Sequence, residues 1–143
     1  MKNTIYVGTN FQTNVPVGGI IPLTITDKRF NRNCVNSEID RVANAIAIET
    51  NGRGSRPRYN IIANVTFAAT AAGNAIVALY QDGVLIPLSQ ATTTITTPDT
   101  EIVTVTIPAS ILTKCCGTTA ITIVNDGTIE LVVSNASIVV TEV

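Results

Sequence analysis

Apolar and polar residues alternate along most of the chain from Tyr59 onward. Across 59–67 nearly every second residue is apolar or aromatic, with Asn60, Asn64 and Thr66 on the other side and Ile62 as an exception. A period of two is typical of a β-strand with one buried face. Further strands are predicted at 75–80, 84–86, 91–97, 101–107, 118–124, 128–133 and 136–140. This spacing of about 8–12 residues per strand favours a β-sandwich or barrel.

Turn residues separate these strands. The dipeptide Asp-Gly occurs at 82–83 and at 126–127, each time between two apolar runs. Asp-Gly favours tight hairpin turns, because both positions accept a positive φ. Pro87 is predicted either to end the strand that begins at 84 or to place it at a sheet edge, since proline has no N–H to donate.

The first part of the chain is less regular. Strands are predicted at 20–25 and 45–48, and a single helical turn at 37–43. Residues 1–24 alternate only weakly and are interrupted by proline and by a Gly-Gly pair, which suits a central strand poorly. We therefore predict an N-terminal attachment arm over 1–24, followed by one domain over 25–143. The alternative is that the arm is the first strand of the domain itself.

Length and composition narrow the function classes. With 143 residues the chain has the size of one domain and can build its own core. Charged residues make up 13%, about half the usual share, and the net charge of −1 argues against a general nucleic-acid binder. The absence of histidine excludes Ser-His-Asp triads, Cys-His dyads and His-ligated metals. We predict no enzymatic activity, no cofactor and no metal.

Basic residues are concentrated before Tyr59 and acidic residues are frequent after it. The segment 51–58 carries three arginines between glycines and a proline, which predicts either a loop that docks on an acidic surface or a loop kept soluble by charge. The candidate partner-docking residues are Lys28, Arg29, Arg53, Arg56 and Arg58.

Several predicted strands carry apolar residues on both faces. In a solitary sandwich one face of each strand is polar, so apolar residues on the second face indicate an interface. We predict an obligate homo-oligomer, with these candidate interface residues: Ile62, Ile102, Val132 and Val139.

The three cysteines, Cys34, Cys115 and Cys116, form an odd set for a secreted disulfide framework. No signal-peptide pattern follows Met1, and no run approaches the roughly 18 apolar residues of a membrane helix. We therefore expect synthesis in the cytoplasm, no membrane partner and reduced, buried thiols. A disulfide plus one free thiol, an intermolecular cross-link and a metal site shared between chains remain alternatives.

The strands and the polar-Gly turn within 59–86 resemble the C1q/TNF-like jelly roll. Residues from about 20 to 143 also resemble small structural proteins of tailed phages of Gram-positive bacteria, apart from the departure at 53–58. The matching features are Arg29-Phe30, Cys34, 44–48, Tyr59, 64–67, 79–84, 86–87, Cys115-Cys116 and the final two strands.

The resemblance implies an all-β fold with a single jelly-roll β-sandwich. It also implies a homotrimer on the virion, as a capsid-decoration or head-fibre protein whose partner is the major capsid protein or another virion protein. Two alternatives are a receptor- or glycan-binding fibre tip, with a host-surface glycan as ligand, and a bacterial surface or spore-coat protein.

Overall fold

Eleven β-strands build the part of the chain that the computed structural model describes, which is residues 3–30, 37–51, 57–114 and 116–143. They are β1 Thr4–Thr9, β2 Thr13–Val15, β3 Ile25–Phe30, β4 Ser37–Val42, β5 Ala45–Asn51, β6 Arg58–Ala69, β7 Gly73–Gln81, β8 Val84–Ile95, β9 Val103–Leu112, β10 Cys116–Asn125 and β11 Leu131–Glu142. The predicted all-β class is confirmed.

Two antiparallel sheets pack against each other as a jelly-roll sandwich. The first has the order β3-β1-β11-β6-β9, with β2 beside β11, and the second has the order β4-β5-β10-β7-β8. Alternation in β6 behaves as predicted, since its odd-numbered residues are buried and its even-numbered residues are partly or fully exposed. Tyr59 and Phe67 of this strand are the largest fully buried side chains of the core.

Both prolines within long strands lie in edge strands. β8 continues through Pro87 at the edge of the second sheet, and β9 continues through Pro108 at the edge of the first. Proline has no backbone N–H to donate, and an edge strand can accept it because one side of the strand has no neighbour in the sheet. The edge alternative for Pro87 is therefore confirmed.

The two Asp-Gly turns differ. Asp82 and Gly83 both have positive φ and join β7 to β8 directly, so this hairpin prediction is confirmed. The hairpin predicted at 125–127 is wrong, because the chain there crosses from the second sheet to the first and β11 begins only at Leu131. β11 then replaces the two predicted final strands with one that is bulged between Val133 and Asn135.

The helical turn predicted at 37–43 is wrong, because this segment forms β4. Each residue of β4 pairs with β5, and Ile39 is fully buried. The local sequence of this short polar segment does not clearly favour helix or strand. Pairing with β5 and the burial of Ile39 stabilise the strand.

The N-terminal segment is part of the sandwich, and its predicted attachment role stays a prediction. β1 lies inside the first sheet, paired with β11 on one side and β3 on the other. Ile5 and Val7 are fully buried in the common core. The strand predicted at 20–25 reduces to a single bridge between Ile20 and Val124, and the strand begins at Ile25 instead. The sandwich therefore includes residues on both sides of the boundary predicted at residue 24.

The loop between β8 and β9 is closed by one carboxylate. Glu101 Oε1 accepts hydrogen bonds from the backbone N–H of Thr96 at 3.0 Å, from that of Thr97 at 3.1 Å and from the Thr96 hydroxyl at 3.1 Å. The two backbone hydrogen bonds, followed by the hydroxyl, hold the pKa of Glu101 below its usual value.

We expect this loop to make stability depend on pH. A carboxyl whose pKa is lower in the folded state stabilises it at any pH above the unfolded pKa, and this contribution is lost as the pH falls from about 4.5 through the lower folded pKa. The melting temperature of Glu101→Gln should thus lie below that of the wild type at pH 7, and the gap should shrink below pH 4.5. A gap that stays constant across this range would contradict the assignment.

Candidate functional site

An apolar row crosses the outer face of the first sheet. Tyr6 of β1 pairs with Val139 of β11, Val139 pairs with Ile62 of β6, and Ile62 pairs with Pro108 of β9. Ile62 is 50% exposed and Tyr6 39% exposed, although the residues on either side of each point into the core. We call Tyr6, Val139, Ile62 and Pro108 the apolar row. Four neighbouring strands thus present apolar groups to solvent in register.

Neutral polar residues flank the apolar row. The adjoining register positions on one side are Thr4, Thr141, Asn60 and Ser110, and those on the other side are Gly8, Ser137, Asn64 and Thr106. The Thr106 hydroxyl donates to Asn64 Oδ1 at 2.6 Å. None of the twelve residues in these three rows is charged, so the centre of this face is uncharged.

The adjoining side of the sandwich, formed by the edge strands β8 and β9, is uncharged as well. Segments 84–98 and 102–113 contain no lysine, arginine, aspartate or glutamate. Edge strands are often protected by charged side chains, whereas these carry Pro87, Pro108 and an irregular stretch at Leu88. Leu88 is fully exposed and has a φ of 64°. An uncharged face and an uncharged side therefore meet along β9.

The second sheet has a different outer surface. Glu38, Asp40 and Glu49 line a groove of about 360 Å³ on β4 and β5, and Glu38 lies directly opposite Glu49. In the connections beside this sheet, Lys114 Nζ, between β9 and β10, lies 3.6 Å from Asp82 Oδ2 in the turn between β7 and β8. The groove on the second sheet is thus acidic, whereas the centre of the outer face of the first sheet is uncharged.

The predicted docking residues are only partly within the described residues. Arg53 and Arg56 lie outside them. Lys28 and Arg29 belong to the edge strand β3, and Arg58 is exposed at the start of β6. Because β1 and β11 separate β3 from β6, these strands lie roughly 14 Å apart, which is three strand spacings. The structure does not bring Arg58 next to the β3 cations, and docking by this set stays a prediction.

The predicted interface residues divide into two groups. Ile62 and Val139 are direct register partners within the apolar row. Val132 is half-buried nearer the other end of β11, and Ile102 is 71% exposed just before β9. Sequence reasoning missed Tyr6 and Pro108, since the contribution of Tyr6 requires knowing that β1 lies beside β11.

Cys116 is exposed at the start of β10, so the expectation of a buried thiol is wrong for this residue. Cys34 and Cys115 lie outside the described residues. Within the described ranges, no three His, Cys, Asp or Glu side chains gather where they could hold a metal ion. No helix there has the length and apolarity that a membrane crossing requires.

Comparison with known proteins finds likeness in structure alone. No family model and no curated protein matches the sequence. Eiger TNF from S. frugiperda matches with a TM-score of 0.68 and 8% identity, covering 99% of this chain and 92% of that one. Murine APRIL matches with a TM-score of 0.60 and 10% identity, and the match covers 100% of both chains. The PRD1 vertex protein P5 matches with a TM-score of 0.55 and 11% identity, and the match covers 98% of this chain and 95% of that one.

The chain has a TNF-like jelly-roll fold. The predicted C1q/TNF-like sandwich is therefore confirmed as a fold. The same fold occurs in the PRD1 vertex protein P5. The finer resemblance to phage proteins stays a prediction, because identities of 8–11% carry no information beyond the fold.

Proposed function

We propose that this protein is a non-enzymatic structural protein of a virion, acting as a homotrimeric capsid-decoration or head-fibre protein of a tailed phage. The observation that carries the proposal is the apolar row at the uncharged centre of the outer face of the first sheet. The likeness in fold to the PRD1 vertex protein supports the virion setting. The proposed trimeric state, with three copies of the chain, rests on the resemblance to C1q/TNF-like proteins.

Self-association follows from the distribution of exposed apolar groups. Exposed apolar residues in register across four strands form a patch of the kind that marks interfaces. The uncharged face and the uncharged β8–β9 side are different surfaces of one copy. A contact between the face of one copy and the side of the next is heterologous, and such contacts generate a closed ring when the rotation closes. A trimer is the ring that the resemblance implies.

Attachment to the particle is assigned to basic residues at the margins of the first sheet and in the segment 51–58. The cations Lys28, Arg29, Arg53, Arg56 and Arg58 are proposed to dock on an acidic region of the major capsid protein or another virion protein. Charge complementarity of this type favours the rate and specificity of association. Lys28 is the register partner of Tyr6, and Arg58 lies on the same face of β6 as Ile62, so these two docking residues border the self-association surface.

Substitution of Ile62 by aspartate is expected to break the oligomer, because a carboxylate would be buried without a partner against the apolar row. Light scattering should give about three times the chain mass of 15.1 kDa for the wild type and a single chain mass for Ile62→Asp. The matched control is Val42→Asp, which changes an aliphatic residue 59% exposed on the second sheet and should remain a trimer. A wild-type protein with the mass of one chain would refute the trimer.

Location on the virion is tested separately. Electron microscopy of particles that carry a tagged copy should show the label on the capsid surface. Particles prepared with a charge-reversed set at Lys28, Arg29 and Arg58 should lose the label, while light scattering of the same variant should still give a trimer. Label at the tail would exclude the capsid-decoration and head-fibre roles.

A further inference from the structure

A small pocket of about 140 Å³ opens on the first sheet at the β1 end of the apolar row. It lies between β3, β1 and β11, next to the point where β1 ends. Its principal lining residues are Tyr6, Gly8, Asn10, Ile25, Asp27 and Asn135. The pocket has room for a single small ring.

Both strands that flank β1 are irregular at this pocket. On β3, Tyr6 pairs with Lys28 and Val7 pairs with Thr26, so Asp27 is an extra residue. On β11 the register shifts between Val133 and Asn135. β-Bulges often occur beside binding sites, where they redirect a side chain. Here the two bulges bring Asp27 and Asn135 to one recess from opposite sides.

Gly8 forms the floor of the recess. It pairs with Ile25 on one side and with Ser137 on the other. A Cβ at this position would overlap the carbonyl oxygen of Ala136 on the neighbouring strand. Glycine allows this close approach of the backbones, and the missing side chain leaves the space open above β1.

Four polar side chains of the pocket have no partner within the described residues, whereas the hydroxyl of Thr9, which also lines it, accepts from the Thr24 hydroxyl. The side chains of Asn10, Asp27, Asn135 and Ser137 line the pocket, and none makes a hydrogen bond or ion pair there. Elsewhere on the same face, neutral polar side chains bond to each other, as Thr106 does to Asn64. The pocket thus gathers amide donors and acceptors, a hydroxyl and a carboxylate that are available to a ligand.

Apolar walls complete the pocket. Tyr6 is 39% exposed and Ile25 is 43% exposed, and both line it. Concave sites that combine apolar walls with a few placed polar groups are typical of small-ligand binding. The carboxylate of Asp27 would repel an anionic ligand, so an anion is a poor fit for this pocket. The best complement is a neutral ring that has an apolar face for Tyr6 and hydroxyl groups for the amides.

We propose that this pocket binds one neutral pyranose unit of a saccharide. The ring lies against Tyr6, and its hydroxyl groups bond to Asp27, Asn135 and Asn10. This site goes beyond the proposed virion function: it shares Tyr6 with the apolar row, and otherwise uses the bulged β3–β1–β11 end of the face and not Val139, Ile62 or Pro108. The proposal requires the pocket to stay open in the assembled protein.

The test is a titration of the full-length protein, in its purified oligomeric state, with glucose, galactose and N-acetylglucosamine, followed by amide chemical shifts in NMR spectra. We expect at least one sugar to give saturable shifts at Tyr6, Gly8 and Asn135. Asn135→Ala should weaken that binding about tenfold, the equivalent of one hydrogen bond of about 1.4 kcal/mol. The matched control, Asn74→Ala on the second sheet, should leave the affinity unchanged.

Two variants of Tyr6 distinguish a loss of sugar binding from a loss of stability. Tyr6→Phe should retain binding, whereas Tyr6→Leu should lose it with little change in the melting temperature, because the Tyr6 side chain is well exposed. Saturable binding that Asn135→Ala and Tyr6→Leu do not weaken would overturn the proposal. So would saturable shifts confined to other strands, or no saturable shift with any of the three sugars. Light scattering of the same samples reports separately on the trimer.

Discussion

Deletion of residues 1–18 is expected to prevent folding. The deletion removes β1 and β2, including the buried side chains of Ile5, Val7 and Val15. Each of these contributes about 1.5–3 kcal/mol by burial. It also leaves β3 without its neighbour in the sheet and exposes the edge of β11. Together these losses approach or exceed the 5–15 kcal/mol by which typical domains are stable.

Circular dichroism and thermal melting of the truncated protein measure this effect. We expect an aggregated or non-cooperatively melting product. The control is the double variant Phe11→Ser, Val17→Ser, which alters two side chains of the same segment that are 48% and 55% exposed and should melt close to the wild type. A truncated protein that melts cooperatively near the wild-type temperature would restore the attachment-arm interpretation.

Replacement of Asn125 by aspartate is expected to cost about 3 kcal/mol or more. Asn125 is fully buried, and its Nδ2 donates to the carbonyl oxygens of Val15 at 3.1 Å, Pro16 at 3.2 Å and Ile129 at 3.0 Å. Its Oδ1 accepts from the N–H of Gly127 at 3.2 Å. Aspartate has nearly the same size but would direct an oxygen at three carbonyl oxygens and lose every one of these donated bonds.

The measurement is chemical denaturation, supported by a fall in melting temperature of roughly 10 °C. Asn74→Asp is the matched control, because Asn74 is exposed and its Oδ1, which aspartate retains, accepts from the Thr94 hydroxyl. Asn125→Asp with wild-type stability would show that the buried amide does not hold the N-terminal segment against the loop between β10 and β11.

The hydrogen bonds of Asn125 explain why the N-terminal segment is part of the domain despite its weak pattern. The backbone of Asn125 also exchanges two hydrogen bonds of 2.9 Å with Gly18 and Gly19. Proline and glycine at 16–19 interrupt strand pairing, as their chemistry predicts. The segment is nevertheless fixed, because its carbonyl groups are satisfied by a side chain more than 100 positions away. No local pattern could reveal such a partner.

The amino-acid sequence by itself determined the properties that depend on near neighbours in the chain. Alternation of period two marked β6 and the strands after it, Asp82-Gly83 marked a tight hairpin, and Pro87 marked an edge strand. Each rests on a constraint that a residue imposes within its own strand or turn: side-chain direction, permitted φ or a missing donor. Low charge and apolar residues on both faces of several strands also predict association, which stays a prediction.

Only the tertiary structure decided which strands are neighbours. The conformation of 37–43 was settled by pairing with β5 and by the burial of Ile39. The apolar row exists because Tyr6 and Ile62 both pair with Val139, and the pocket exists because two bulges and Gly8 meet across three strands. Pairing between strands far apart in sequence depends on how the whole core packs. The pattern within one strand therefore does not indicate which strand will pair with it.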